Sequence, residues 1–403
     1  MTPSRLALPA LFALACSTSA LAGEARQPPR VADPGVLATL EAQDRALAPF
    51  VLPKNAAPWE SGLPLAAPEP MGGTPPGYVR TFSEYEANEG IFIRWASFTA
   101  LQTEMIVPLT TATPPSKVWI AVTSGAQENT VRNTLQSAGA NLDHVRFVQQ
   151  SCTVNGNCSV WMRDYGPRFI ESAGTRAIVD HQYNRPTRTA DNQFPSLVAA
   201  AWSEPLYNIG LSHGGGNYHS FSNQDAFMTR LIVNENPGLT AQQVIDRYAA
   251  FQGVDLTLTD PFPTNVDSTQ HIDMWMLPVA PDRIIIGDYP ASTGGSAVPK
   301  QVTDATAAAL ASRGYTVFRT PGWRANAHYT YTNAVIVNQV ALICRFGGSY
   351  TTQDAQALAV FQQALPDHDI VQVNCAGIIT SAGAIHCIVM HVPDLIFRGR
   401  HED

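Results

Sequence analysis

From about residue 78 onward, short apolar runs of strand character alternate with longer segments whose apolar residues recur every three or four positions. Residues 90–95, 117–123, 144–149, 283–287 and 315–319 read as strands, and 127–137, 240–251, 302–312 and 352–364 as helices. Residues 334–337 and 340–344 are two apolar runs around Asn338-Gln339, which predicts a hairpin. Alternating strand and helix predicts an α/β domain over residues 78–395, with a tail at 396–403. The pattern alone does not say which α/β architecture, and it shows no internal repeat. Residues 23–77 differ: they are rich in proline and alanine, with a single helical stretch at 34–47. They read as a linker or pro-segment packed loosely on the domain.

Composition is that of a globular chain, with 45% hydrophobic and 14% charged residues. A net charge of −8 argues against nucleic acid as a partner and is compatible with a cationic substrate. The start of the chain reads as an export signal spanning residues 1–22. Arg5 supplies the positive charge, residues 6–15 the apolar core, and Ala20-Leu21-Ala22 the cleavage motif. The apolar stretch is too short to span a bilayer, and no other segment is expected to engage a membrane. Cys16 after Ala-Leu-Ala offers a lipoprotein site as the second choice.

With Cys16 removed, five cysteines remain. Cys152 and Cys158 flank a turn sequence, and Cys344 and Cys375 each end a strand-like run, so both pairs are disulfide candidates in an exported protein. Cys387 is left over, which flags a reactive thiol. A cysteine alone is more often core than catalytic, so the case needs other polar residues.

Four clusters supply them. Trp161-Met-Arg163-Asp164-Tyr-Gly-Pro167 sets adjacent charges among aromatics, where a surface ion pair is the plainer reading. His213-Gly-Gly-Gly216-Asn217 allows close backbone approach to a ligand, although glycines without a following lysine are a weak phosphate signal. In Gln270-His271-Ile-Asp273, a strand would point His271 and Asp273 to one face, suiting acid–base work. As metal ligands the pair lacks a third and fourth partner at recognisable spacing. Tyr329-Thr-Tyr-Thr-Asn333 precedes the hairpin, with Asn333 either a functional amide or a cap.

In this order, and ending in Ser381-Ala-Gly-Ala-Ile-His-Cys387, the clusters resemble the guanidine-modifying (pentein) superfamily. The chain is similar to its bacterial peptidylarginine deiminase and agmatine deiminase group, and most like the secreted peptidylarginine deiminases. The segment Tyr85-Glu-Ala-Asn-Glu-Gly90 also resembles the start of that domain, and the likeness covers about residues 78–393. It implies a five-fold pseudosymmetric α/β propeller with a central active-site channel. It also implies Cys387 as nucleophile, His271 as general acid/base, Asp164 and Asp273 as the carboxylates gripping a guanidinium, and Asn333 as an active-site amide. Trp161, Gly216, Asn217, Arg185 and Arg188 would bind substrate, the two arginines reading a substrate carboxylate as in the bacterial peptidylarginine deiminases. No cofactor and no metal are expected. The implied reaction is hydrolysis of peptide arginine to citrulline and ammonia through a thiouronium on Cys387.

Agmatine or free arginine as substrate, amidino transfer to an amine, and a non-catalytic binding protein on the same scaffold are the alternatives. The agmatine branch usually carries an acidic residue where this chain has His213, and agmatine has no carboxylate for Arg185 and Arg188. An immunoglobulin-like domain of the kind found in some relatives is not expected after Pro393.

Overall fold

The computed structural model describes residues 27–154 and 156–395, so the expected signal sequence at 1–22 and the expected tail at 396–403 lie outside the described residues. The apolar runs become strands that pair in one recurring scheme. Met276–Ala280 and Arg283–Asp288 form an antiparallel pair, the helix Val298–Ser312 crosses back, and Thr316–Arg324 joins parallel to the second strand. A parallel pair needs such a crossover, which explains the alternating sequence pattern.

The same order recurs with Arg168–Ser172, Thr175–Tyr183, helix Phe194–Trp202 and Leu206–His213. It recurs with His219–Ser220, Asp225–Thr229, helix Ala241–Gln252 and Asp255–Thr259. It recurs again with Val335–Val337, Val340–Arg345, helix Thr351–Ala364 and Asp369–Asn374, where the expected hairpin forms. The fifth unit joins the two ends of the domain. Met390–Pro393 pairs antiparallel with Asn88–Arg94, helix Thr99–Thr111 follows, and Lys117–Val122 lies parallel. Helix Gly125–Ala138 and strand Val145–Gln149 extend that sheet.

The result is the five-fold pseudosymmetric α/β arrangement. The repeat is invisible in the sequence because the units share a burial pattern and not residues. Both candidate disulfides form, with Cα–Cα separations of 6.0 Å for Cys152–Cys158 and 5.3 Å for Cys344–Cys375.

The N-terminal segment is not loosely packed. Helix Pro34–Leu47 forms as expected, capped by Asp33, and sits on Val107 and Ala138 through Ala32, Val36 and Leu37. Asp44 caps the neighbouring helix Thr99–Thr111, accepting from the amides of Thr99 and Ala100 at 2.9 Å each. That helix has Phe98 at its own N-cap position and no side-chain cap there, so a residue from the segment supplies it. Beyond the helix, Leu52, Lys54, Ala57 and Glu60 are buried, whereas residues 61–77 contain neither helix nor strand. The physical reason the loose reading fails is chemical: a lysine and a glutamate find opposite charges inside the domain.

Seven histidines are buried among the described residues, and in five of them, His181, His213, His219, His271 and His391, burial opposes the charged form. Burial holds each of the five below its ordinary range, to about 4 for His181, His271 and His391 and about 3 for His219. Unfolded histidines titrate near 6.5, so between about 6.5 and 4 the unfolded chain binds protons that the folded chain refuses. Stability therefore falls as pH drops through that window, by roughly 1.4 kcal/mol per pH unit for each fully refused proton. Asp180, Asp191 and Glu235, which burial raises to about 7, 6 and 8, bind protons in the fold over part of the same range and offset some of this loss. Urea midpoints measured at stepped pH should therefore drop within that window by less than five refused protons would require; a flat profile down to its acid end would refute the assignment.

Candidate active site

Each of the five units is entered through a short turn, and each turn delivers a residue to one place. Asp164 lies in Met162–Tyr165 before Arg168–Ser172, and Gly216 before His219–Ser220. Asp273 lies in Ile272–Met274 before Met276–Ala280, Asn333 before Val335–Val337, and Cys387 in His386–Ile388 before Met390–Pro393. Turns, unlike strands, can aim a side chain inward while leaving the ladder intact. The expected strand at 270–273 is accordingly a correction: Gln270 has φ +58° and a 3-10 turn follows. His271 and Asp273 still face one space, because a Cβ on Gly216 would meet His271 Nδ1 at 2.8 Å, Asp273 Oδ2 at 2.9 Å and Asp164 Oδ1 at 3.0 Å. Only glycine lets the chain pass this close. Gly383 does the same on the other side, where a Cβ would stand 2.7 Å from the Trp161 ring and 3.2 Å from Cys387 Sγ.

Cys387 is the free cysteine among the described residues and is buried. Asn333 Nδ2 donates to its sulfur at 3.1 Å, and Asn333 Oδ1 accepts from the His386 amide at 3.1 Å. The thiol lies 3.4 Å from Asp273 Oδ2. Asp164 accepts from the Gly216 amide at 3.1 Å and stands 3.6 Å from His271 Nδ1.

Behind Asp273 runs a chain of support. His386 Nδ1 is 2.9 Å from Asp273 Oδ2, His386 Nε2 is 2.9 Å from Glu84, and Arg163 donates to Glu84 at 2.7 Å. Among the described residues, Glu84, His219 and His386 are the one trio whose potential metal-ligand atoms lie within 4.8 Å of one another. Glu84 is already paired and both His386 nitrogens are engaged, so the trio reads as part of this hydrogen-bond chain.

The occupant of the site comes from the N-terminal segment. Lys54 Nζ donates to Cys387 Sγ at 2.8 Å and lies 3.8 Å from Asp164 and 3.6 Å from Asp273. Burial by itself would lower the Lys54 pKa, but Asp164, Asp273 and the Cys387 sulfur more than reverse it, so the ammonium is held well above its ordinary range. Burial opposes ionisation of Asp273 too, yet Lys54 and His386 keep that carboxyl far below the carboxylate range. For Cys387, burial and the Asp273 charge outweigh Lys54 and push the thiol up to about 12. Burial and then Lys54 hold His271 down at about 4, hence neutral.

Not every expected ligand-binding residue points here. Trp161 Nε1 donates to the Leu52 carbonyl at 2.8 Å, and Arg185 Nε to the Lys54 carbonyl at 3.3 Å. Arg188 is fully buried. It grips Glu60 at 2.8 and 3.2 Å and donates to the Asn55 carbonyl at 2.8 Å. Asn217 is the correction: its amide is spent on the Thr229 backbone and the Ile272 amide, so it holds the turn before Asp273 and offers a ligand nothing. Lys54, Glu60, Glu84 and His386 went unassigned in the sequence. The available signal was weak: Lys54 is one of three lysines in the chain and stands isolated in an apolar, proline-rich stretch.

A thiol beside two carboxylates, an imidazole and an amide forms a cradle for a planar cation within reach of a nucleophile. The family model of Porphyromonas-type peptidyl-arginine deiminase matches residues 80–393. A Marinomonas sp. (strain MWYL1) protein assigned as an agmatine deiminase is 24% identical over 277 residues, covering 58% of this chain and 73% of the relative. Among solved structures, the C. jejuni agmatine deiminase superposes with a TM-score of 0.65 at 16% identity, covering 79% of this chain and 96% of that one. The Enterococcus faecalis agmatine deiminase gives 0.64 at 17% identity, with 79% and 96% covered. At these identities the superpositions establish the shared pentein fold, while the family match spans most of the chain. The protein thus belongs to the Porphyromonas-type peptidyl-arginine deiminase family, hydrolases that act on the C–N bonds of linear amidines.

Proposed function

We propose that this deiminase acts on arginine within a polypeptide, releasing ammonia and leaving citrulline, after export and cleavage of its signal near Ala22. The observation that carries the reading is how the site holds a peptide main chain. Around the buried Lys54 side chain, Trp161, Arg185 and Arg188 donate to the carbonyls of Leu52, Lys54 and Asn55, and the Ser381 carbonyl accepts from the Lys54 amide at 3.1 Å. Agmatine has no carbonyl for any of these donors. The two disulfides are consistent with an oxidising compartment.

In the proposed reaction Asp164 and Asp273 grip the guanidinium and orient its carbon toward Cys387. The thiolate is not stored at rest, since burial and Asp273 push the thiol to about 12. The arriving cation stabilises it, and Asn333 donates to the sulfur. Attack forms the S–C bond. The thiol proton passes to His271, which is neutral at rest, and from there to the departing ammonia. His271 then takes a proton from the water that attacks the thiouronium and returns it to the sulfur as the S–C bond breaks, leaving the thiol and a ureido group.

Cys387→Ala should abolish turnover and labelling by a haloacetamidine. Asp164→Asn and Asp273→Asn should each lose several kcal/mol of transition-state stabilisation; a kcat/KM within about tenfold of the parent, ~1.4 kcal/mol, would remove that residue from the guanidinium grip.

Substrate class is read from initial rates of ureido product on agmatine, free arginine, and peptides with internal or C-terminal arginine. Peptides should lead, those ending in arginine most of all, because their carboxylate falls where the Lys54 carbonyl meets Arg185. Arg185→Ala should erase that lead by one to two decades, the roughly 1.5–3 kcal/mol of a charge-assisted contact. Agmatine turning over faster than any peptide would instead support the agmatine reading.

A further inference from the structure

We propose that residues 52–60 are a tethered pseudosubstrate: Lys54 fills the guanidinium cradle and Glu60 occupies Arg188, so the chain is latent until this segment is released. The inference rests on the deiminase reading of the site and goes beyond it.

The match is one of atom count. Lysine Nζ and the guanidino carbon of arginine both stand five bonds from Cα. An arginine on this same backbone would bring its electrophilic carbon to the position of Nζ, which lies 2.8 Å from Cys387 Sγ, so a shift of a few tenths of an ångström gives the ~3–3.5 Å separation of a near-attack conformer. An ammonium offers no carbon there, so the occupant has the charge of a substrate and none of its reactivity. The backbone is engaged on both sides of the side chain, through the Lys54 amide and carbonyl. Glu60 completes the mimicry, its carboxylate bound by Arg188 and Thr187 and by the Ala57 amide at 2.7 Å.

Residues 52–60 are joined to the domain's first strand only through an exposed, irregular stretch. Of the nine exposed large apolar residues described, eight (Val31 to Tyr78) lie in the chain before residue 80, and the ninth is Leu206. The family match begins only at residue 80. Residues 61–77 are mostly exposed and lack helix and strand, which makes them the accessible site for peptide-bond hydrolysis by an endoprotease. A cut there severs the tether on the C-terminal side of Glu60 and leaves the plug held only by non-covalent contacts. Endoproteolysis is thus the class of reaction that supplies the open enzyme.

The competing role for Lys54 is as an activator of the thiol, and it makes the opposite prediction. Using the exported full chain, Cys387 alkylation by iodoacetamide, which needs access but no deiminase chemistry, is timed beside turnover of arginine peptides. Lys54→Ala should accelerate both by at least about tenfold, as for a site open less than a tenth of the time. A nick within residues 61–77, followed by gel filtration, should do the same. Unchanged or slower alkylation in Lys54→Ala, with its melting profile intact, overturns the proposal.

Lys54→Arg keeps the cation and guards against misfolding. Cys387 should attack the new guanidino carbon, ammonia should leave, and water should release the thiol. Residue 54 is then found by mass as the urea, and as the intact guanidine in the Lys54→Arg, Cys387→Ala double variant. An intact guanidine at position 54 in a preparation that deiminates added peptide also overturns the proposal. Faster alkylation in Lys54→Ala without turnover of any guanidine supports the plug and counts against the deiminase reading alone.

Discussion

Two carboxylates and a thiol enclosed in one cavity require a cation between them. Asp164 and Asp273 are both buried, and Asp273 lies 3.4 Å from the Cys387 sulfur. Left unpaired, such a group of acids would cost several kcal/mol in desolvation and mutual repulsion, or would take up protons and lose its grip. The cavity is therefore selective by sign before it is selective by shape. It keeps Lys54 charged against the pull of burial, and the same field would receive a guanidinium.

The scaffold meets this constraint by distributing the acids. Asp164, Asp273 and Cys387 come from three entry turns of three units, while a fourth brings Asn333 and a fifth the Gly216 backbone. No local segment has to hold like charges side by side, and each turn is braced by its own sheet. Behind Asp273, His386, Glu84 and Arg163 follow in one chain of buried contacts that fixes the carboxylate from the rear. Asn217 belongs to the same bracing. Its amide ties Thr229 to the Ile272 turn and so fixes where Asp273 points.

The N-terminal segment shows how strongly that field acts on chain otherwise poor in regular structure. Beyond the helix Pro34–Leu47, it is held by two charges, Lys54 among the acids and Glu60 on Arg188, and by carbonyls that meet Trp161, Arg185 and Arg188. With Lys54 on Cys387 and these donors engaged, the segment fills the space between the acids.

Much of this was legible in the sequence. The strand and helix periods placed most of the secondary elements, and the ordered motifs pointed to Cys387, His271, Asp164, Asp273 and Asn333, which the fold brings to one cavity. Local pattern suffices there because burial period and turn chemistry act over a few residues. It failed where position depends on distant partners. The five-fold repeat is carried by burial and not by residue identity. The 270–273 stretch looks like a strand until tertiary contacts bend it. Asn217 looks like a ligand until its amide is seen to be spent on backbone. Lys54 is 333 residues from Cys387, and nothing near it in sequence signals a cavity of opposite charge. Only the folded chain, closing that separation to a hydrogen bond, made a lysine in a proline-rich stretch the occupant of the active site.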